Sequence, residues 1–273
     1  MATLVVGDLH LMAGLILPMI EKKMKDREIT EIIFTGDYCD QWSQQNNLAL
    51  YIKDLEFLLQ WRKKQEAQGI KVTNLIGNHD IPYIIHEPVH YSLIGAEGQQ
   101  QVHKLLLELQ PQIACWSNGF LISHGGYLCA VKTEPWHFET ITEDLLLSSP
   151  QLTAGLEQLA NTVGACRGGR HQHGGPLWAD ILAEFPDYPS EFYPKQVVGH
   201  RPLSEVTTAQ DGDNQMIGID TFTVIHSPLW PHFHPHAAMP GCLLIDDGQT
   251  SSIMIEEWVE EGIDDKIMHY FTT

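Results

Sequence analysis

Six residues of metal-ligating type stand just beyond short apolar runs. Asp8 and His10 follow Thr3–Val6, Asp37 follows Glu31–Phe34, Asn78 follows Val72–Ile76, His124 follows Phe120–Ile122, and His200 follows Gln196–Val198. Carboxylate, imidazole and amide oxygen together make a donor set for borderline-hard divalent ions such as manganese, iron or zinc. Six donors exceed what one ion takes while keeping a position open for substrate. Two ions bridged by a carboxylate use them all, at the ~3.5–4 Å separation of two-metal phosphoryl-transfer sites. Two cations sharing one water also lower its pKa enough to yield hydroxide at neutral pH. A single Gly-Asp or Gly-Asn after a strand is an ordinary turn, in which the side chain caps backbone groups. Five such endings in order are not explained by turn chemistry.

For the six to meet, the chain must bring distant strand ends together. The apolar runs read as buried strands closed by Gly and polar residues. Between them, Ala13–Glu28, Leu48–Arg62, Gln99–Leu109 and Leu152–Val163 carry helical apolar stripes. The early strands alternate with helices, which favours βαβ units. Met216–Ile219, Cys242–Ile245 and Ser252–Val259 then read as strands without long helices between them. The expectation is a layered α/β domain with a sheet that is parallel at first and mixed later. In such sheets ligands sit at the carboxyl ends of the strands. One domain over 1–273 is expected, because no repeat or linker-like stretch interrupts it.

The 16 basic and 35 acidic side chains leave a net charge of −19. That balance argues against a groove tracking a nucleic-acid backbone, which needs clustered Lys and Arg. The 15 histidines nearly equal all Lys and Arg together, a ratio that points to metal chemistry. Five scattered cysteines without CxxC spacing read as reduced thiols. No apolar run is long enough for a membrane span, and the N-terminal residues lack the pattern of a secretory signal. A cytoplasmic protein is expected, with no membrane or nucleic-acid partner.

The motifs DLH at 8–10, GDYCD at 36–40, GNHD at 77–80, SHGG at 123–126 and VGH at 198–200 resemble the calcineurin-like metallophosphoesterases, and within them the phosphoprotein-phosphatase branch and its bacterial relatives. Ile219-Asp220-Thr221 resembles a further bacterial signature. The resemblance covers residues 8 to 221 and implies an α/β fold of two mixed β-sheets packed as a sandwich flanked by helices. It makes Asp8, His10 and Asp37 ligands of a first metal, with Asp37 bridging to a second that Asn78, His124 and His200 complete. His79 matches the general acid and Asp40 the carboxylate that orients it. Manganese is the first expectation for the pair, with iron or zinc as alternatives.

The branch pattern is broken at the phosphate grip. Leu11 stands where a glycine usually follows DxH, Gln41 where an arginine follows GDxxD, and Ile81-Pro82-Tyr83 leave no arginine after GNHD. Arg201, or Arg167 and Arg170 in the Gly-rich stretch 167–175, are the candidate substitutes for binding substrate. Four histidines (His226, His232, His234, His236) in a Pro-rich segment read as part of a lid or insertion over 222–240, or as an extra metal site. The resulting expectation is a phosphomonoesterase acting through a metal-bridging hydroxide and a histidine acid. Hydrolysis of nucleotides or dinucleoside polyphosphates is the enzymatic alternative, and a non-catalytic metal-binding or interaction protein the other. Substrate identity, native metals and oligomeric state are not encoded in these motifs.

Overall fold

The apolar runs fold as strands because β-branched residues suit a pleated, half-buried surface while Gly-Asp sequences end it. The computed structural model describes residues 2–227 and 230–273, with the backbone alone at 227 and 230–232. The strands are β1 (Ala2–Val6), β2 (Ile29–Phe34), β3 (Lys71–Asn74), β4 (Ala114–Ser117), β5 (Phe120–Ser123), β6 (Lys195–Val198), β7 (Thr207–Asp211), β8 (Asn214–Gly218), β9 (Val224–Ser227), β10 (Trp230–Pro235), β11 (Gly241–Asp246) and β12 (Gln249–Met254). Two five-stranded sheets run in the orders β12-β11-β1-β2-β3 and β4-β5-β6-β8-β7, and β9 and β10 form a separate hairpin. Each sheet holds one parallel trio: β1, β2 and β3 in the first, β5, β6 and β8 in the second. Antiparallel partners flank both trios, so both sheets are mixed.

Side chains alternate across a strand, so each sheet has two faces to cover. Val5, Ile33 and Leu243 of the first sheet meet Ile122, Val197 and Ile217 of the second in one buried apolar cluster. Their neighbours Leu4, Val6, Ile32 and Phe34 face the other way, toward Ile16 and Leu17 of α1 (Ala13–Met24) and Leu55 and Leu58 of α2 (Leu48–Ala67). The remaining helices are α3 (Ile81–Ile84), α4 (Ala96–Glu108), α5 (Glu143–Ser148), α6 (Pro150–Asn161) and α7 (Ile263–Thr272). The fold is an α/β sandwich of two mixed sheets with helices outside, as the motif resemblance implies. No helix among the described residues is long and apolar enough to cross a membrane.

Several sequence readings are corrected in detail. The strand expected over Ser252–Val259 stops at Met254, and Glu256–Val259 is a 3₁₀ turn that buries Trp258 against Phe222 at 6.0 Å between rings. The first helix ends at Met24, four residues before Glu28, because the chain must enter β2 at Ile29. A single sheet read from apolar patterning becomes two, partly because the short β4 and the largely polar β7 carry no long apolar run. The proposed lid contains the β9–β10 hairpin. Its Phe233 ring lies 4.9 Å from Phe271 of α7, and His234 Nδ1 pairs with Asp264 at 2.6 Å. The His232 side chain lies outside the described residues, and no group of metal-ligating side chains forms in this segment among the described ones.

Candidate active site

The loops after the parallel strands hold their ligands in unusual backbone. His10 (φ 42°), Asp37 (φ 53°), Asp40 (φ 62°) and His200 (φ 66°) are all left-handed, as is Leu11 (φ 58°), which fills the position where a glycine was expected. Such conformations cost on the order of 1–3 kcal/mol each and persist only where surroundings over-determine them. For the Asp37 turn, the over-determining group is Asp80. Its buried carboxylate accepts hydrogen bonds from the backbone N–H groups of Asp37 (2.8 Å), Tyr38 (2.9 Å), Cys39 (3.1 Å) and Gly77 (3.0 Å). Gly77 must be glycine here, since a Cβ would overlap Asp37 Oδ1. Asp80→Asn keeps one acceptor oxygen and turns the other into a donor. At about 1–3 kcal/mol per unsatisfied buried N–H, the melting temperature is expected to fall by roughly 2–4 °C for every kcal/mol lost. A melting curve superimposable on that of the wild type would refute this role.

Two histidines are turned so that one ring nitrogen faces inward. His10 Nδ1 lies 2.9 Å from the Asp40 carbonyl and His124 Nδ1 lies 3.0 Å from the Thr35 carbonyl. A carbonyl only accepts, so each Nδ1 carries the proton and each Nε2 offers a lone pair to a ligand. His124 Nε2 then points at Asn78 Oδ1 (2.9 Å) and Asp37 Oδ2 (3.4 Å), and His200 Nδ1 lies 2.7 Å from the same Asn78 oxygen. Acceptor atoms converge there, an arrangement that a cation relieves. Asp8 receives the His200 backbone N–H at 3.0 Å and the Thr35 hydroxyl at 3.3 Å, which aims its carboxylate along the same cleft.

These contacts make two ligand groups, Asp8–His10–Asp37 and Asp37–His124–His200, each with its ligand atoms within 4.8 Å of one another. Asp37 is common to both. Asn78 joins the second through its oxygen. Burial opposes ionisation of Asp37, yet the neighbouring imidazoles of His124, His79 and His10 hold it well below the usual carboxylate range. Asp8 is pushed the opposite way by burial and by the charges of Asp220 and Asp37. Three buried carboxylates in one volume require positive charge nearby, which is what this donor set supplies a place for.

His79 stands outside both groups. Its backbone N–H donates to Asp37 Oδ1 at 2.8 Å, while its ring turns to Asp40, with Nδ1 to Oδ2 3.2 Å. Asp40 Oδ1 accepts the hydroxyls of Tyr51 (2.7 Å) and Tyr83 (2.6 Å), so three side chains fix one buried carboxylate. Burial would pull His79 down, but the Asp37 charge and the Asp40 hydrogen bond outweigh it and push His79 up to about 9. With 26% of its side chain exposed, the imidazolium can reach a bound ligand.

Gln41 does not present its amide to the cleft, because Nε2 donates to the His10 carbonyl at 3.1 Å and Oε1 accepts the Trp42 N–H at 2.8 Å. Arg167 and Arg201 are brought together beside His200, both within 3.2 Å of Asp180 Oδ2. Arg170 is exposed and makes no ion pair among the described residues.

Sequence reading left Asp80, Thr35, Tyr51, Tyr83, Tyr91 and Asp180 unassigned. The Asp80 signal was present as the last residue of GNHD. Tyr91, whose ring lies 4.5 Å from that of His79, sits in no motif, and neither do the tyrosines that hold Asp40. Asp220 belongs to Ile219-Asp220-Thr221, a stretch whose sequence assigns it no role. It lies buried, with Oδ1 accepting the Thr223 hydroxyl at 2.7 Å and Oδ2 lacking a hydrogen-bond partner among the described residues.

Residues 1–217 match the model of the family described as calcineurin-like phosphoesterase. Among solved structures, a cold-active protein-tyrosine phosphatase of a psychrophilic Shewanella species is similar at 15% identity and TM-score 0.53, over 92% of this chain and 80% of that one. A protein serine/threonine phosphatase from Saccharomyces cerevisiae, with similarity to human phosphatase PP5, is similar at 14% identity and TM-score 0.50, over 93% and 79% of the two chains. At these identities the likeness is one of fold. No curated protein matches the sequence.

Proposed function

We propose that this chain, which belongs to the calcineurin-like phosphoesterase family and is therefore a metal-dependent phosphoric ester hydrolase, is a dinuclear phosphomonoesterase whose single domain spans 1–273. The observation that carries the reading is Asp37, one carboxylate shared by two ligand groups. Asp8, His10 and Asp37 would hold the first ion, and Asp37, Asn78, His124 and His200 the second. Manganese is the leading choice for both, and iron or zinc suit the same donors. When bound, such a pair supplies Lewis-acid activation of water and charge neutralisation of the phosphoryl group.

The chain's own residues do the rest. Asp80 fixes the turn that presents Asp37. The backbone carbonyls of Asp40 and Thr35 fix the imidazoles of His10 and His124, a kind of support whose removal weakens metal affinity by about 10–100-fold elsewhere. His79 holds a proton at the cleft for the departing oxygen, and Asp40 keeps that ring protonated and oriented. Arg167 and Arg201 bind the phosphoryl oxygens in place of the arginines missing at 41 and after 80. An intact acid with its supporting carboxylate and tyrosines favours catalysis over the non-catalytic alternative. All five cysteines are free thiols, which supports a cytoplasmic, reducing location.

The test is elemental analysis of the purified protein, followed by a phosphoester panel on the manganese-loaded form. About two ions per chain are expected, with activity abolished by chelation and greatest on phosphomonoesters such as phosphoserine peptides. Active protein holding at most one ion would refute the dinuclear reading. A preference for nucleotides or dinucleoside polyphosphates would move the assignment to the alternative substrate class.

A further inference from the structure

Resting on the phosphoesterase reading above, we propose that Asp180 is a positioning residue that gathers Arg167 and Arg201 beside His200 and makes the site selective for dianionic phosphomonoesters over phosphodiesters. Asp180 is 1% exposed, and its placement does not depend on the arginines. Its Oδ1 accepts the N–H groups of Leu182 and Ala183, each at 2.9 Å, and its own N–H donates to Glu184 Oε2 at 3.1 Å. The segment is also docked on the turn that carries His124. The Pro176 carbonyl accepts the Gly125 N–H at 2.6 Å, and a Cβ on Gly125 would meet the Trp178 and Ala179 nitrogens at 2.7 Å. One carboxylate oxygen is therefore held at a set place relative to the ligands.

That oxygen, Oδ2, lies 3.0 Å from Arg167 Nη2 and 3.2 Å from Arg201 Nη1. The arginines arrive from separate places, Arg167 from the 3₁₀ turn Ala165–Arg167 and Arg201 from the residue after His200. Two guanidinium groups against one carboxylate leave one positive charge over. They also leave donors over: Arg167 Nε has no hydrogen-bond partner among the described residues, and the Arg201 side chain is 39% exposed. Unfilled guanidinium donors with excess charge fit an oxyanion.

The geometry also explains the selectivity. A phosphomonoester dianion has three terminal oxygens, so one remains for the arginines when others face the ligand groups. A diester has two terminal oxygens and a single charge, so it gains little from a second cationic grip.

Asp180→Asn separates this role from a merely structural one, because Asn keeps an Oδ1 acceptor for Leu182 and Ala183 and replaces only the oxygen facing the arginines. On manganese-loaded protein, calorimetric binding of inorganic phosphate and KM for p-nitrophenyl phosphate are each expected to weaken about tenfold, the size of a disoriented charge-assisted hydrogen bond. Metal content should be unchanged, and kcat/KM for bis(p-nitrophenyl) phosphate should change less than about twofold. Adding Arg201→Ala should cost less in the Asp180→Asn background than alone, since the two act through one contact. Equal losses on both esters, or unaltered phosphate binding, would overturn the role of Asp180 while the phosphoesterase reading stands. A loaded wild-type protein inactive on both esters and unable to bind phosphate would overturn the two together.

Discussion

Asp37→Asn is expected to remove metal from both ligand groups at once and to lower phosphomonoesterase activity by at least about 10³-fold, the equivalent of several kcal/mol of transition-state charge stabilisation. The shared position is the reason. Asp37 Oδ2 lies 3.7 Å from His10 Nε2 and 3.4 Å from His124 Nε2, so one substitution reaches the donors of both groups. Asp8 contributes to one group alone, so Asp8→Asn should lose less activity and retain about half of the metal. Elemental analysis of the two variants, with circular dichroism melts to establish that both fold, makes the comparison. Equal metal loss in the two variants would mean that the groups do not share Asp37 as a bridge.

His79→Ala is expected to keep its metals and to discriminate between leaving groups. Phosphoserine leaves as an alkoxide and needs a proton, so its hydrolysis should slow by on the order of 10²–10⁴-fold, the range for a positioned acid. p-Nitrophenyl phosphate leaves as a stable anion and should lose far less. Asp40→Asn should act in the same direction more weakly, since it works through the His79 ring. The sign of its pH effect follows from the contact. Asp40 favours the imidazolium, so without its charge His79 deprotonates at lower pH. The alkaline limb of the rate profile should accordingly move down. Equal losses on both substrates, together with lost metal, would make His79 a ligand or a structural residue instead.

Much of this was legible because motif chemistry and strand endings coincide in the chain. Asp8, His10, Asp37, Asn78, His124 and His200 each follow an apolar run within a few residues. In a parallel arrangement those endings must share an edge. The strands that carry them, β1, β2, β3, β5 and β6, all belong to the two parallel trios, and their ends come together as that pattern requires. The strands without a sequence signal are at sheet edges or in the hairpin, where runs are short or interrupted by polar residues and proline. β7, read TTAQD, is such a case.

Residue type and order by themselves singled out the candidate ligands, and the motif resemblance the candidate acid and its carboxylate, because each is tied to a local turn whose chemistry travels with its neighbours. Tertiary structure decided what those groups lean on. The tyrosines that clasp Asp40 come from α2 and α3, Tyr91 reaches His79 from a loop outside any motif, and Asp180 collects arginines 34 residues apart in the chain. None of these contacts has a spacing rule. They depend on how helices and loops seat on the sandwich, and that seating is set by side-chain packing over the whole core, which no short stretch of residues encodes.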